Sequence, residues 1–226
     1  MESAFTRTRD QRIVELTARY RLGTNAAYQR VLFDGQSLNA VTKVTSRLCR
    51  QGWLRRYPLI PPEDYFTLGP TAVRELGYPA RRIEPLGPQA LPIDYAVLLY
   101  ATLGERERQR LTKDDLSQSA PWMPDELTHA PYCQSGHGLL ELIRVDLGGA
   151  PYHIARKAAA DCSARLEYAE FQQLVDSNRF QLVILTATAS KARLIRQSID
   201  ALSWTPRLRL HLTMIPRLTL LQLHSR

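Results

Sequence analysis

Residues 37–57 read SLNAVTKVTSRLCRQGWLRRY, and their pattern decides how the first third of the chain folds. Ser37 is a natural cap for a helix running to about Gln51. At about 100° per residue, Leu38, Val41, Val44, Thr45 and Leu48 fall within roughly 120° of one another and form an inward stripe. The opposite face presents Asn39, Lys43, Ser46 and Arg50, with Thr42 and Arg47 at its margins. Gly52 ends the helix, and WLRRY at 53–57 has the aromatic, strand-forming character of an extended segment.

Upstream, Asp10 is expected to cap a first helix reaching about Arg21, with Ile13, Leu16, Thr17 and Tyr20 inward. Gly23 ends it, Thr24 opens a short second helix through about Leu32, and Asp34-Gly35 makes a turn. Downstream, PLIPPED at 58–64 reads as a turn and YFTL at 65–68 as a returning strand. Two helices, a reading helix, an aromatic strand, a Pro-rich tip and a second strand form the order of a winged helix-turn-helix over residues 10–68. Residues 71–76, TAVREL, add a helix closed by Gly77. The segment 79–92 holds Pro79, Pro85, Pro88 and Pro92 and reads as a linker. The expected division is therefore 1–78 winged helix-turn-helix, 79–92 linker and 93–226 a second domain.

Charge is unevenly spread along the 226 residues. Through Arg82 there are 14 Arg and Lys against 7 Asp and Glu, a net of +7; residues 83–226 hold 16 against 15, a net of +1. Neutralising phosphates supplies most non-specific affinity for duplex DNA, so a cationic footprint confined to one small module points to double-stranded DNA as partner. Of the 30 cations 26 are Arg, the side chain that pairs bidentately with phosphate and guanine. On the exposed helix face, Asn suits adenine, Arg suits guanine, and Ser, Thr and Lys suit backbone or base. The expected DNA-binding set is Asn39, Thr42, Lys43, Ser46, Arg47 and Arg50, with Arg55 and Arg56 on the wing. A single winged module covers a short site, so a homodimer on paired half-sites is expected.

No apolar run approaches the ~18–20 residues that span a bilayer. The N-terminal MESAFTRTRDQR lacks the apolar stretch of a signal peptide. Three widely spaced cysteines (Cys49, Cys133 and Cys162) argue against a disulfide framework. A cytoplasmic protein with no membrane contact is the expectation.

The rest of the chain reads as α/β with a mixed sheet. IDYAVLLYATL at 93–103 is an apolar helix buried in the second domain, and GERERQRLTKDDL a solvated helix or loop. Residues 127–133 and 139–147 form a hairpin around the turn 134–138. A helical stretch from Pro151 to about Asp176 breaks near Cys162. QLVILTA at 181–187 is a strand buried on both faces, followed by an amphipathic helix at 190–202 and an edge strand at 207–212.

A winged helix, a Pro-rich joint and an α/β domain in succession resemble the replication-relaxation family of plasmid and integrative-element proteins. In that family the second domain is similar to a degenerate PD-(D/E)xK nuclease fold: Pro-Asp before a hairpin, a strand with Glu-x-Asp-x-Gly, and a helix with a Lys. Here Pro124-Asp125 precedes the hairpin, the strand reads Ile143-Arg144-Val145-Asp146-Leu147-Gly148, and the next helix offers Lys157. The resemblance implies Asp125, Asp146 and Lys157 as catalytic positions, with Arg144 where the glutamate is expected. Arg144 and Asp146 share a strand face, where a guanidinium repels Mg²⁺ and could pair with Asp146 or Asp125 instead. Glu141 sits on the other face and reaches the site only through a bulge.

Other motifs lead less far. His129, Cys133 and His137 recur every fourth residue, with His153 beyond, but on strand and loop that spacing does not converge on Zn²⁺. GGAPYHIARK lacks the Gly-Lys-Ser/Thr ending of a phosphate loop. Ser135 and Ser190 lack a nucleophile elbow. Nothing singles out Tyr95, Tyr100, Tyr132, Tyr152 or Tyr168 as a nucleophile. The sequence thus predicts a sequence-specific DNA-binding protein of a plasmid or mobile element, without a cofactor. It would act in transcriptional control or as an accessory factor in replication or transfer, with the second domain, expected to be non-catalytic, free to dimerise or to dock protein partners. The alternatives are a Mg²⁺-dependent DNA nicking enzyme or relaxase, and a winged helix used only for protein contacts.

Overall fold

The computed structural model describes residues 9–104, 106–202 and 208–224 of a mixed α/β chain with two sheets. The N-terminal segment 1–8, read above as lacking a signal sequence, and residue 207 of the expected edge strand lie outside the described residues. The chain separates into two compact units, Met1–Leu103 and Gly104–Arg226.

The first unit comprises α1 (Arg9–Tyr20), β1 (Gly23–Thr24), α2 (Asn25–Leu32), α3 (Leu38–Arg50), β2 (Leu54–Ile60), β3 (Glu63–Leu68), α4 (Pro70–Glu75) and α5 (Ala90–Thr102). Its antiparallel sheet has the order β1-β3-β2. Ile13, Tyr28, Phe33, Val41, Val44, Leu48, Leu54 and Phe66 form one apolar cluster that joins the first three helices to the sheet. Thr24 caps α2 and Ser37 caps α3, each hydroxyl accepting from the amide three residues on. Gly52 ends α3 at φ +75°, a conformation that favours glycine.

Four expectations change here. Asp10 is not a cap: it lies inside α1 and is 1% exposed. Leu38 does not join the inward stripe; it is 48% exposed because α3 starts there, one turn before Val41 enters the core. The strands absorb most of the expected turn, so β2 and β3 meet across a short tip at Pro61-Pro62, a cis peptide. The segment 79–92 is not a free linker. Ile83 carbonyl accepts from Tyr57 Oη (2.8 Å) and Thr67 Oγ1 (3.0 Å), and the Leu86 amide donates to Tyr65 Oη (2.9 Å). These bonds hold the segment, which includes a 3-10 turn at Ala80–Arg82, as a strap against the sheet. Apolar α5 packs on α1 and α2, which moves the division from 92/93 to 103/104.

The second unit comprises β4 (Arg108–Leu111), α6 (Lys113–Ser119), α7 (Asp125–Thr128), β5 (Tyr132–Ser135), β6 (Leu139–Val145), α8 (Pro151–Leu166), α9 (Ala169–Asp176), β7 (Phe180–Thr186), α10 (Ala189–Asp200), β8 (Arg209–Met214) and α11 (Leu218–His224). The sheet order is β4-β5-β6-β7-β8. The first three strands run as an antiparallel meander and the last three are parallel. Leu140, Leu142, Leu182 and Ile184 turn toward the apolar residues of α8, α9 and α10. Strand β7, flanked by β6 and β8, is buried at every residue but Gln181, as its continuous apolar run predicts.

Local detail departs from expectation at three points. The charged stretch after residue 104 supplies an edge strand and then α6, started by a capping box of Thr112 and Asp115. Residues 125–128 form a helical turn, so the hairpin's first strand is only Tyr132–Ser135. The helical stretch breaks at Glu167–Tyr168, while Cys162 is buried inside α8.

Candidate nucleic-acid interface

The outward face of α3 is built by fixing the helix on its other sides. Val41, Val44, Thr45 and Leu48 are buried, which commits the axial rotation of the helix. Asn39, Lys43 and Arg50 are exposed, and their side chains make no hydrogen bond or ion pair among the described residues. At about 100° per residue these three lie within roughly 40° of each other. From Asn39 to Arg50 the face extends about 16 Å along the helix.

Three polar braces hold this face in place. Asp10 of α1, nearly inaccessible, takes both carboxylate oxygens to Arg47 Nη2 at 3.0 and 2.7 Å. Asn25 at the start of α2 donates to Thr42 Oγ1 (3.3 Å) and accepts from Thr45 Oγ1 (3.1 Å). Arg56 of β2 donates to Ser46 Oγ (3.0 Å), approaches Asp64 at 3.6 Å and lies over the Phe66 ring. Of the expected binding set, Arg47, Ser46 and Arg56 are thus engaged inside the unit, and Thr42 is engaged through its hydroxyl. Asn25 and Asp10 were missed as site-forming residues. Their partners lie 17 to 37 positions away, and no local pattern signals pairs that distant.

Arg55 and Arg56, adjacent on β2, point to different faces. Arg56 shares the α3 side of the sheet with Leu54, whereas Arg55 pairs across strands with Thr67 on the side of the strap. Arg55 is exposed and lies over the Tyr57 ring at 5.7 Å. The tip itself carries Pro61, Pro62 and then acidic Glu63 and Asp64. Cys49, beside the apolar flank of α3, is half-buried, and desolvation pushes its thiol above the usual range against the pull of Arg56.

In the second unit Asp125, Asp146 and Lys157 sit in unlike surroundings. Asp146, 3% exposed, follows β6; it accepts from the Gly148 amide (3.1 Å) and from Thr186 Oγ1 (3.3 Å). The lysine nearest its carboxylate is Lys191 of α10 at 3.9 Å, while Lys157 lies exposed on α8. Asp125 is exposed at the start of α7, where a 2.8 Å hydrogen bond from Lys113 holds its carboxyl below the usual carboxylate range. Arg144 pairs with neither aspartate; its guanidinium meets Asp161 of α8. Strand β6 keeps regular register, so Glu141 stays on the opposite face, buried against Arg108 at 3.3 Å. Among the described residues no group of three or more His, Cys, Asp or Glu is arranged to hold a metal ion.

Within the described residues no helix is long and apolar enough to cross a membrane. No family model matches the chain, and neither curated proteins nor solved structures give a match.

Proposed function

We propose that this protein is a sequence-specific duplex DNA-binding protein, its first unit a winged helix-turn-helix that lays α3 in the major groove. The observation that carries this reading is the face of Asn39, Lys43 and Arg50: exposed, without partners among the described residues, and on a helix braced from three directions. The major groove, about 12 Å wide, admits a helix, and unpaired Asn and Arg side chains match purine edges there. The net charge of +7 through Arg82 supplies the phosphate attraction. Arg55 is the wing cation available to a phosphate, while Arg47 and Arg56 act as braces for the reading face rather than as contacts.

The resemblance to replication-relaxation proteins read from the sequence is the reason for proposing a target on a plasmid or mobile element. The role there is transcriptional control or help in replication or transfer, with two copies bound to paired half-sites. For the second unit we propose a nuclease-like frame without catalysis, used for dimerisation or partner docking. Two features support that: Arg144 is spent on Asp161, and Glu141 is spent on Arg108 across the sheet.

Selection from a random duplex pool with the full chain tests the reading. Enrichment of a defined sequence is expected, with binding that weakens by about one log-log unit of salt for each phosphate contact. Recovery of a random pool, or binding indifferent to salt, would overturn it.

A further inference from the structure

Leu38 is the one large apolar side chain of α3 left in solvent, 48% exposed at the first position of the helix, directly beside Asn39. Thr42 follows one turn later on the same flank, roughly 40° away around the axis. Its hydroxyl is already used twice, donating to the Leu38 carbonyl (3.0 Å) and accepting from Asn25 Nδ2 (3.3 Å). What Thr42 retains for a ligand is its γ-methyl. The face therefore has two parts: a polar stripe of Asn39, Lys43 and Arg50, and a short apolar flank of Leu38 and the Thr42 methyl.

On the DNA reading above, we infer that this flank reads the C5-methyl groups of thymine in the major groove. The occupant follows from the neighbours. The net charge of +7 through Arg82 favours a polyanionic partner over a protein for a flank that lies beside Asn39, Lys43 and Arg50. In the major groove, apolar thymine methyls and polar purine edges lie side by side, and apolar side chains are the groups that match the methyl. Asn39 suits adenine, and every adenine is paired with a thymine whose methyl projects into the same groove. The N-terminal end of α3 is accordingly assigned to A·T pairs and its Arg50 end to guanine or phosphate.

Uracil substitution removes only the methyl and tests the inference. The duplex enriched by the full-length chain is rebuilt with uracil for thymine, one position at a time, and binding is followed by fluorescence anisotropy. At one or two positions the parent should lose about fourfold in affinity, the worth of one buried methyl-sized group. Leu38→Ala should lose a similar factor on the thymine duplex and then be indifferent to uracil at that position. Leu38→Met, which keeps the apolar reach, should stay sensitive. Leu38 is too exposed for these changes to unfold the unit, and unchanged melting temperatures verify that. Equal affinity of the parent for an all-uracil duplex overturns the inference, as does a Leu38→Ala variant that keeps its uracil sensitivity. If Asn39→Ala and Arg50→Ala also bind like the parent, the DNA reading of α3 fails as a whole. If those two weaken binding and uracil does nothing, only the thymine assignment falls.

Discussion

Arg47→Ala removes the guanidinium that holds Asp10, and the loss should register in stability rather than in DNA affinity. Asp10 is 1% exposed, and both its oxygens meet Arg47 Nη2 within 3.0 Å. Stranding a buried charge by deleting its partner costs about 3–5 kcal/mol. Arg47 is itself 37% exposed, so water enters the vacated space and repays part of that. A loss of about 2–3 kcal/mol is expected, roughly a 30- to 150-fold change in the folded-to-unfolded ratio. Urea unfolding of the parent, Arg47→Ala, Asp10→Asn and the double variant isolates the pair: the double should be more stable than the sum of singles by at least about 1 kcal/mol. DNA affinity of Arg47→Ala, measured below the unfolding transition, should stay within about threefold of the parent. Stability within about 0.5 kcal/mol of the parent would refute the brace. Tenfold weaker DNA binding with stability intact would make Arg47 a reader instead.

Three further predictions follow from the same geometry. A Cβ added at Gly23 would lie 2.0 Å from Tyr28 Oη, whose 2.6 Å hydrogen bond to Thr17 ties α1 to α2. Gly23→Ala should cost about 1–3 kcal/mol by thermal or urea unfolding, and a neutral result would mean the ring has room to move. Burial raises the thiols of Cys133 and Cys162 to about 12 and that of half-buried Cys49 by less, so thiolate is scarce at pH 8. Ellman's reagent should find at most one slowly reacting thiol in the native protein and all three after denaturation. Rapid titration of more than one native thiol would contradict the packing. Supercoiled DNA carrying the enriched sequence should remain closed with Mg²⁺ or Mn²⁺; open circles that vanish with Asp146→Ala would assign the second unit phosphodiester chemistry.

What was legible in the sequence tracks how local each cause is. The bounds of α2 and α3 follow from Thr24, Ser37 and Gly52, because caps and left-handed stops act within a turn. Strand β7 is readable because QLVILTA is short and rich in β-branched residues, which favours a buried strand over a buried helix such as α5. The linker reading fails because prolines mark a chain break locally, whereas the bonds that tie this segment down are distant: Tyr57 and Thr67 donate to the Ile83 carbonyl, and the Leu86 amide donates to Tyr65 Oη. The short strand β4 was missed because its pairing with β5, some 25 residues on, gives RQRL no local signature. At the candidate site, periodicity finds the exposed face of α3 but does not separate its unpartnered side chains from those braced within the unit. Arg47 and Arg50 look alike in sequence, and a carboxylate 37 positions from Arg47 makes the difference.

The most direct measurement compares the parent with a triple Asn39→Ala/Lys43→Ala/Arg50→Ala variant on the enriched duplex and on a scrambled one. The account predicts at least a hundredfold loss on the enriched duplex, a smaller loss on the scrambled one, and an unchanged unfolding midpoint. A triple variant that folds normally and binds the enriched duplex as tightly as the parent would contradict it.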